Sequence, residues 1–551
     1  MDLLLWELGA IALAIFATAY LLYGRWVARR FGVDDARETP AHSMRDGTDF
    51  VPTPRGELFL QHFSAISAAG PIVGPIMAAS VFGWMPALCW VLLGCVFIGA
   101  VHDFATLTSS VRHGAHTMAE MVRQYLGREA WVLFTAFIWL ALGLVVINFT
   151  DVTARAFLRG QLDIEGASLV PGPAVATSSL LYLGLALAMG WLQSRAGCSA
   201  RWLMPLGLAA LLLILWLGTL WPLALPETMG GLDTWRVWVI LILAYCALAS
   251  VMPVPLLLQP RGFLGGALLW IFLAVGVLGL FLSDAPVHAP AWIEAPAQPL
   301  FPVLFVTIAC GACSGFHGLV CSGTTSKQVS REGHLHSIGY GAMLLEGLVA
   351  VIAIATFMLA PAHLPGTTAA LDPSSIFATG IASFAAELGI PVHLGLQFGF
   401  LALATFIYDT LDVCARLGRH ILQELWRGLT GRTLNGLTAT LITLALPATV
   451  LLSGTDYNAA WRVFGASNQL VAGLSLVAIF AWLRAERRAR WYIALPMLFV
   501  LALTLTALVR DTLNSAHPPL LRGFAATLLL VALLILGLAL RRQRSAPKPA
   551  Q

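Results

Sequence analysis

Runs of about twenty apolar residues recur along the whole chain, and nothing else constrains its fold as strongly. A helix of about that length crosses the ~30 Å hydrocarbon core of a bilayer. In hydrocarbon an unpaired peptide group costs several kcal/mol, so a spanning segment must be a helix or part of a closed barrel. The runs are continuous rather than alternating, which excludes the barrel pattern. Charged residues make up only 11% of the 551, against about a quarter in soluble domains. The sequence therefore predicts an all-α polytopic membrane protein of about fifteen transmembrane helices. The spans fall near 3–23, 62–82, 87–109, 131–150, 176–192, 202–221, 236–257, 263–283, 301–324, 339–361, 393–412, 434–452, 460–482, 491–509 and 521–540.

The charges between the runs give an orientation. With the N-terminus outside, 26 of the 32 Lys and Arg residues fall in cytoplasmic segments, Arg261 among them. The opposite orientation inverts that ratio, so the bias of cytoplasmic loops toward basic residues puts the C-terminus inside the cell. The chain begins Met1-Asp2, and its first basic cluster, Arg25, Arg29 and Arg30, follows the first apolar run. A cleaved signal peptide has the reverse charge order, so the first run reads as a retained span. The expected organisation is a single transmembrane domain over 1–551. It comprises an N-terminal span and cytoplasmic loop (1–61), a transport core (62–412), additional peripheral spans (413–540) and a cytoplasmic tail (541–551). The segment 362–392 reads as an external loop. The eight cysteines lie nearly all within apolar runs, as small hydrophobes rather than a disulfide framework. The net charge of +4 is spread through the loops, with no basic arm for nucleic acid.

Three spans depart from regular helix chemistry. The second contains Gly70-Pro71 and Gly74-Pro75 shortly after Ser67. Each proline removes a donor and clashes with the preceding turn, and a broken backbone at membrane depth survives only against protein or a watery cavity. The alternative is a kinked packing helix. The seventh span ends in Pro253, Pro255 and Pro260, five spans after the second and hence opposite in direction. Two such discontinuous helices are the pattern of inverted-repeat transporters, with spans 2–6 and 7–11 as the 5+5, leucine-transporter-like repeats. The ninth span concentrates small and hydroxyl residues: Cys310, Cys313, Ser314, His317, Cys321, Ser322, Thr324 and Thr325. The hydroxyls of Ser322, Thr324 and Thr325 could coordinate a cation or a carboxylate, although such residues are also ordinary packing residues in membrane helices. Cys310, Cys313, His317 and Cys321 share one face of a straight helix. That places them in a line, not around a tetrahedron, so no metal and no cofactor is expected.

Ionisable residues at depth are functional by default, since a charge there costs at least about 2.5 kcal/mol. The coupling candidates are His102 and Asp103 in the third span, His317 in the ninth, Glu346 in the tenth and Asp412 ending the eleventh. Asp409, Asn148 and Asp151 also lie at span ends. Asn468 and Gln469 fall outside the proposed repeats and read as packing or gating residues.

These residues resemble the carbon starvation protein A family of bacterial peptide and pyruvate transporters. The stretch from Asp46 to Thr53, then His62-Phe63 and Ala69 to Pro75, is similar to that family's N-terminal signature. Ala309 to Ala312, Ser314 to His317, Ser322 to Thr325 and Gly339 to Met343 resemble its central signature. Leu411-Asp412 with Arg416, and Phe464-Gly465 with Asn468 to Leu470, match later blocks, so the resemblance runs from about residue 20 to 485. The chain departs from the family pattern at His102, where the family carries Gln, at Ser326, where it carries Pro, and at Cys313. The resemblance implies a secondary transporter, not an enzyme, in the cell inner membrane. It would import short peptides or pyruvate by cation symport, with a proton first and sodium second, in the response to carbon starvation. The substrate and ion site would include Ser67, Gly70, Pro71, Gly74, Asp103, Ser314, His317, Ser322, Thr324 and Thr325. A substrate carboxylate would meet the free N–H groups of a half-helix near Gly70 or Gly74. The competing classes are an intramembrane redox or haem-binding subunit, which needs axial histidines facing one another across helices, and a starvation sensor.

Overall fold

A computed structural model describes residues 4–47, 49–67, 69–158, 162–164, 167–169, 171–195, 198, 200–253, 255–359, 372–453 and 457–545. Within them the chain is an all-α polytopic membrane protein. Twelve helices are long and apolar enough to cross a bilayer, or up to thirteen if a bent pair counts as one span. The strands among the described residues are two small hairpins, Leu162–Ile164 with Ala167–Leu169 and Thr228–Met229 with Leu232–Asp233. The fifteen segments expected from the sequence map onto these twelve helices, the bent pair, the shorter helix Gly436–Leu452, and an interrupted pair of short helices.

The helices sort into a centre and a rim by how much of each is covered. In His336–Leu359 and Ala460–Ala485, 94% of the apolar window is buried, whereas in Leu5–Phe31, Trp202–Leu220 and Pro519–Arg542 only about a third or less is. Apolar side chains on the rim helices, such as Leu206 and Trp216, stand exposed, the surface a lipid-facing helix presents. At the ends, short polar residues close orphan backbone donors. The Thr117 side chain accepts from the Glu120 N–H, that of Asp233 from Arg236, and that of Asp372 from Ser375.

The second span is broken as expected. Helix Arg55–Ile66 ends at Ser67 and the chain resumes as Gly70–Phe82, bent by 47°. Pro71 falls in the first turn of the new helix, where its missing N–H is harmless, and Pro75 is carried inside.

The seventh span is not broken, and the sequence expectation is corrected there. Helix Thr234–Val251 runs without interruption, and Pro253 comes after its end, in the link to Leu258–Leu282. Proline terminates a helix as readily as it kinks one, and the sequence did not separate these outcomes. The second discontinuous helix is the ninth span, Leu300–Thr307 followed by Gly315–Gly323, with residues 308–314 non-helical. The two broken helices are thus seven spans apart, and the proposed repeat boundary between spans six and seven loses its basis.

Two further boundaries shift. The eleventh span does not end at Asp412 but continues as Val392–Thr430, a 39-residue helix capped by Gly431 in the left-handed region. The expected external loop contains a helix, Pro373–Glu387, most of whose residues are buried. It packs against Val392–Thr430 through small residues: an added Cβ on Gly399 would lie 2.8 Å from the Ala378 Cα.

Candidate functional site

The two interruptions meet. An added Cβ on Gly70 would lie 2.5 Å from the Cys310 Sγ, and one on Gly74 would lie 2.5 Å from the Thr307 carbonyl oxygen. Only glycine admits this approach, so the Gly-Pro pairs of one broken helix are fitted to the break of the other. Gly70, Pro71 and Gly74 are all buried. They lie in a protein-covered contact rather than facing an open space.

The backbone groups freed at the ninth-span break find partners elsewhere. The indole of Trp461 donates to the Thr307 carbonyl at 3.2 Å and that of Trp90 to the Ile308 carbonyl at 3.2 Å. The Gln469 amide donates to the Phe305 carbonyl at 3.0 Å. At the restart, the Phe316 N–H donates to Asn468 Oδ1 at 3.0 Å, while Asn468 Nδ2 donates to the Ser314 hydroxyl at 3.0 Å. Asn468 and Gln469 therefore close the broken backbone, a role the sequence reading did not give them. Their signal was two adjacent amides within a span, which need partners at depth.

Around the restart, four of the five coupling candidates form one buried chain. His102 Nδ1 lies 2.8 Å from Asp103 Oδ1, and His317 Nδ1 lies 2.9 Å from Asp103 Oδ2. His317 Nε2 approaches Glu346 Oε2 at 3.1 Å. Their side chains are at most 1% exposed. Three helices are joined: Trp84–Arg112, Gly315–Gly323 and His336–Leu359. Two carboxyl groups and two imidazoles, each able to gain or lose a proton, are thus held together away from water.

The remaining hydroxyls are largely spoken for. Ser322 donates to the Gly318 carbonyl at 2.7 Å and accepts from the Met118 N–H at 3.2 Å. Thr324 bonds back to the Val320 carbonyl at 3.4 Å, and Thr325 pairs with His62 Nδ1 at 2.9 Å. Ser67, at the first break, is buried with no hydrogen-bond partner for its Oγ. The line of Cys310, Cys313, His317 and Cys321 on one straight helix does not form, because the helix begins only at Gly315.

A cavity of about 720 Å³ lies beside the breaks, with Ser67 and Phe316 in its wall. Its volume falls in the range of small-molecule sites. On its other side stand Arg261 and Asp409, and here the sequence reading missed most. Arg261 was assigned to a cytoplasmic loop, yet it is 2% exposed and lies inside Leu258–Leu282. Its Nε lies 2.8 Å from Asp409 Oδ1, its Nη1 meets Asp412, and its Nη1 donates to the Tyr245 hydroxyl at 2.6 Å. Asp412, the fifth coupling candidate, belongs to this cluster and not to the histidine chain. The missed signal was an arginine opening an apolar run, with two aspartates at i, i+3 spacing in a helix that continues past them.

The family described as carbon starvation protein CstA matches residues 5–367 and 363–507 of this chain. A peptide transporter CstA of Mycobacterium tuberculosis is 32% identical, covering 86% of this chain and 70% of its own length. A peptide transporter CstA of Bacillus subtilis is 30% identical, covering 85% and 83%. The pyruvate/proton symporter BtsT of Escherichia coli is 28% identical, covering 92% and 81%. Among solved structures, a manganese transporter variant of Eremococcus coleocola is 13% identical. It covers 90% of this chain and 97% of its own, with a TM-score of 0.41.

Proposed function

We propose, from the premise that this chain belongs to the carbon starvation protein CstA family, that it imports a small carboxylate-bearing nutrient by proton symport. Relatives named as peptide transporters and as a pyruvate/proton symporter support transport of short peptides or pyruvate. The observation that carries the coupling is the buried chain His102–Asp103–His317–Glu346. It links one half of a discontinuous helix to two neighbouring helices through groups whose charge depends on bound protons. Loading or unloading a proton changes how strongly the three helices attract one another, and so biases a rocking motion about the breaks. The basic-loop bias supports a cell inner membrane location with the N-terminus outside and the C-terminus cytoplasmic. In that orientation the cavity faces the cytoplasm, since its lining includes the exposed Glu57 and Gln259, in the first turns of two helices that start from loops assigned to the cytoplasm. The core is assigned to the spans from 62 to the end of Val392–Thr430 together with Ala460–Ala485, whose Asn468 and Gln469 close the ninth-span break, and the other helices after 430 are the additional spans.

Reconstitution into proteoliposomes tests this reading. An imposed inward proton gradient should drive accumulation of labelled pyruvate or labelled alanyl-alanine. Accumulation driven only by a sodium gradient would overturn the ion. Failure of both substrates under either gradient would overturn the substrate class.

A further inference from the structure

Arg261 is the only lysine or arginine among the fully buried residues described. It faces two carboxyl groups, Asp409 and Asp412, so with both ionised the cluster carries one negative charge more than it balances. Burying an unbalanced charge is expensive, and a purely structural ion pair has no need of the second aspartate.

The two aspartates are not equivalent. Asp412 is fully buried, and the Tyr245 hydroxyl, which accepts from Arg261 Nη1, donates at 2.7 Å to the same Oδ2 that Nη1 meets. The Asp409 side chain is 21% exposed and stands in the cavity wall beside Thr410 and Arg261. Its place depends on Gly265, where any added Cβ would strike the Asp409 carboxylate. The guanidinium is thus fixed by Asp412 and Tyr245 on its protein side. On its cavity side it meets one carboxylate, Asp409, through a single Nε–Oδ1 approach of 2.8 Å, so the two-bond pairing that the planar fork of arginine offers a carboxylate is not made there.

We propose, resting on the carboxylate-transport reading above, that Arg261 anchors the substrate's carboxylate, which takes the place of Asp409, while the displaced Asp409 takes up one proton. Before binding, the cluster holds one positive and two negative charges. Afterwards it holds Arg261, the substrate carboxylate, ionised Asp412 and neutral Asp409, and the net charge is unchanged. The proton is taken from the bathing solution, where the acid form of the buffer gives it up and becomes its conjugate base, and it ends on an Asp409 oxygen. No bond other than that O–H forms. The histidine chain does not line the cavity, so a substrate cannot compete for it directly, and it can compete at Asp409. The other ionisable groups around the pair are Tyr182, Tyr245 and Tyr408, whose phenols are neutral at pH 7 by their ordinary values, the thiol of Cys246, and Glu57 in the cavity lining. None of them supplies a second cation.

The test is calorimetric titration of the purified full chain with pyruvate and with alanyl-alanine, in buffers of different ionisation enthalpy, which reads protons taken up per ligand bound. Wild type should take up about one proton per carboxylate, and methyl pyruvate, which lacks the carboxylate, should not bind. Asp409→Asn should still bind, with proton uptake falling to near zero, and Arg261→Gln should bind at least about tenfold more weakly. Should Arg261→Gln fail to fold, Asp409→Asn carries the test alone, because it leaves one arginine against one aspartate. Proton uptake in Asp409→Asn equal to wild type, or undiminished binding by Arg261→Gln, overturns the exchange while leaving the transport reading intact. Failure of wild type to bind either carboxylate overturns both.

Discussion

Asp103 is the residue on which the proposed proton coupling turns, because among the described residues it alone accepts from two imidazoles, His102 and His317. Asp103→Asn mimics a permanently protonated carboxyl of the same size. The variant should retain substrate exchange, which needs no net proton movement, and lose accumulation under a proton gradient. Its binding-linked proton uptake should match wild type, since that event is assigned to Asp409. Wild-type accumulation by Asp103→Asn in proteoliposomes would remove the residue from the coupling path. Outside the spans, Glu332 gives a pH prediction. Its carboxylate accepts from Arg37 at 2.7 Å, from Arg112 Nε at 3.1 Å and Nη2 at 3.0 Å, and from the Asp34 N–H at 3.0 Å. Burial pushes its pKa up, but the hydrogen bonds and the Arg112 charge outweigh burial and hold it below the usual value. A carboxylate depressed in the folded state stabilises fully above its unfolded pKa, about 4.3, and loses that contribution as pH falls through the folded value. Glu332→Gln should therefore lower stability at pH 7 by about 1.5–3 kcal/mol. The gap to wild type should shrink below about pH 4, as read by thermal unfolding in detergent.

At the scale of elements, the contact between the two discontinuous helices is the feature most open to a direct test. Gly70→Ala places a methyl against the Cys310 side chain, an overpacking that costs about 1–3 kcal/mol. Combining it with Cys310→Gly removes the obstructing atoms and should restore most of that loss. Gly74→Ala meets the Thr307 backbone carbonyl instead, so the same second substitution should not rescue it. Thermal midpoints of the two glycine variants, each with and without Cys310→Gly, and of Cys310→Gly alone decide the matter. Equal rescue of both glycine variants would mean that the breaks do not pack as described. The same contact explains why the Gly-Pro pairs were legible as a break while their partner was not. Proline chemistry is local and can be read along the chain, whereas which helix fills the gap depends on a pairing 240 residues away.

For the whole molecule, the proposed orientation rests on charges that the fold has partly relocated. Arg261 was counted among the cytoplasmic cations and lies buried, yet the remaining excess still points the same way. Single cysteines replacing Ser43 and Glu227, both exposed, in a background lacking other reactive thiols should label from opposite sides of the membrane. Ser43 should react only from inside and Glu227 only from outside in intact cells. Labelling of the Ser43 position by an impermeant reagent would invert the map and put the cavity mouth outside. Thr367, in the same expected external loop as Pro373–Glu387, lies outside the described residues.

Hydropathy determined by itself that this chain lives in a bilayer as a bundle of helices, because each span must satisfy its own peptide groups wherever it later packs. The cost of burying charge marked His102, Asp103, His317 and Glu346 before any contact was known, for the same local reason. Three things needed the tertiary structure. That Pro253 ends a helix while the ninth span breaks without any proline at its interruption depends on which neighbours accept the freed backbone, here Trp90, Trp461, Asn468 and Gln469. That Asp412 belongs with Arg261 rather than with Asp103 depends on which helix faces which. And Arg261 itself, an ordinary loop cation by its position at the edge of an apolar run, is buried because two aspartates and a tyrosine from two other helices surround it. Partners of that kind are far apart in the chain, so no window along the sequence contains them.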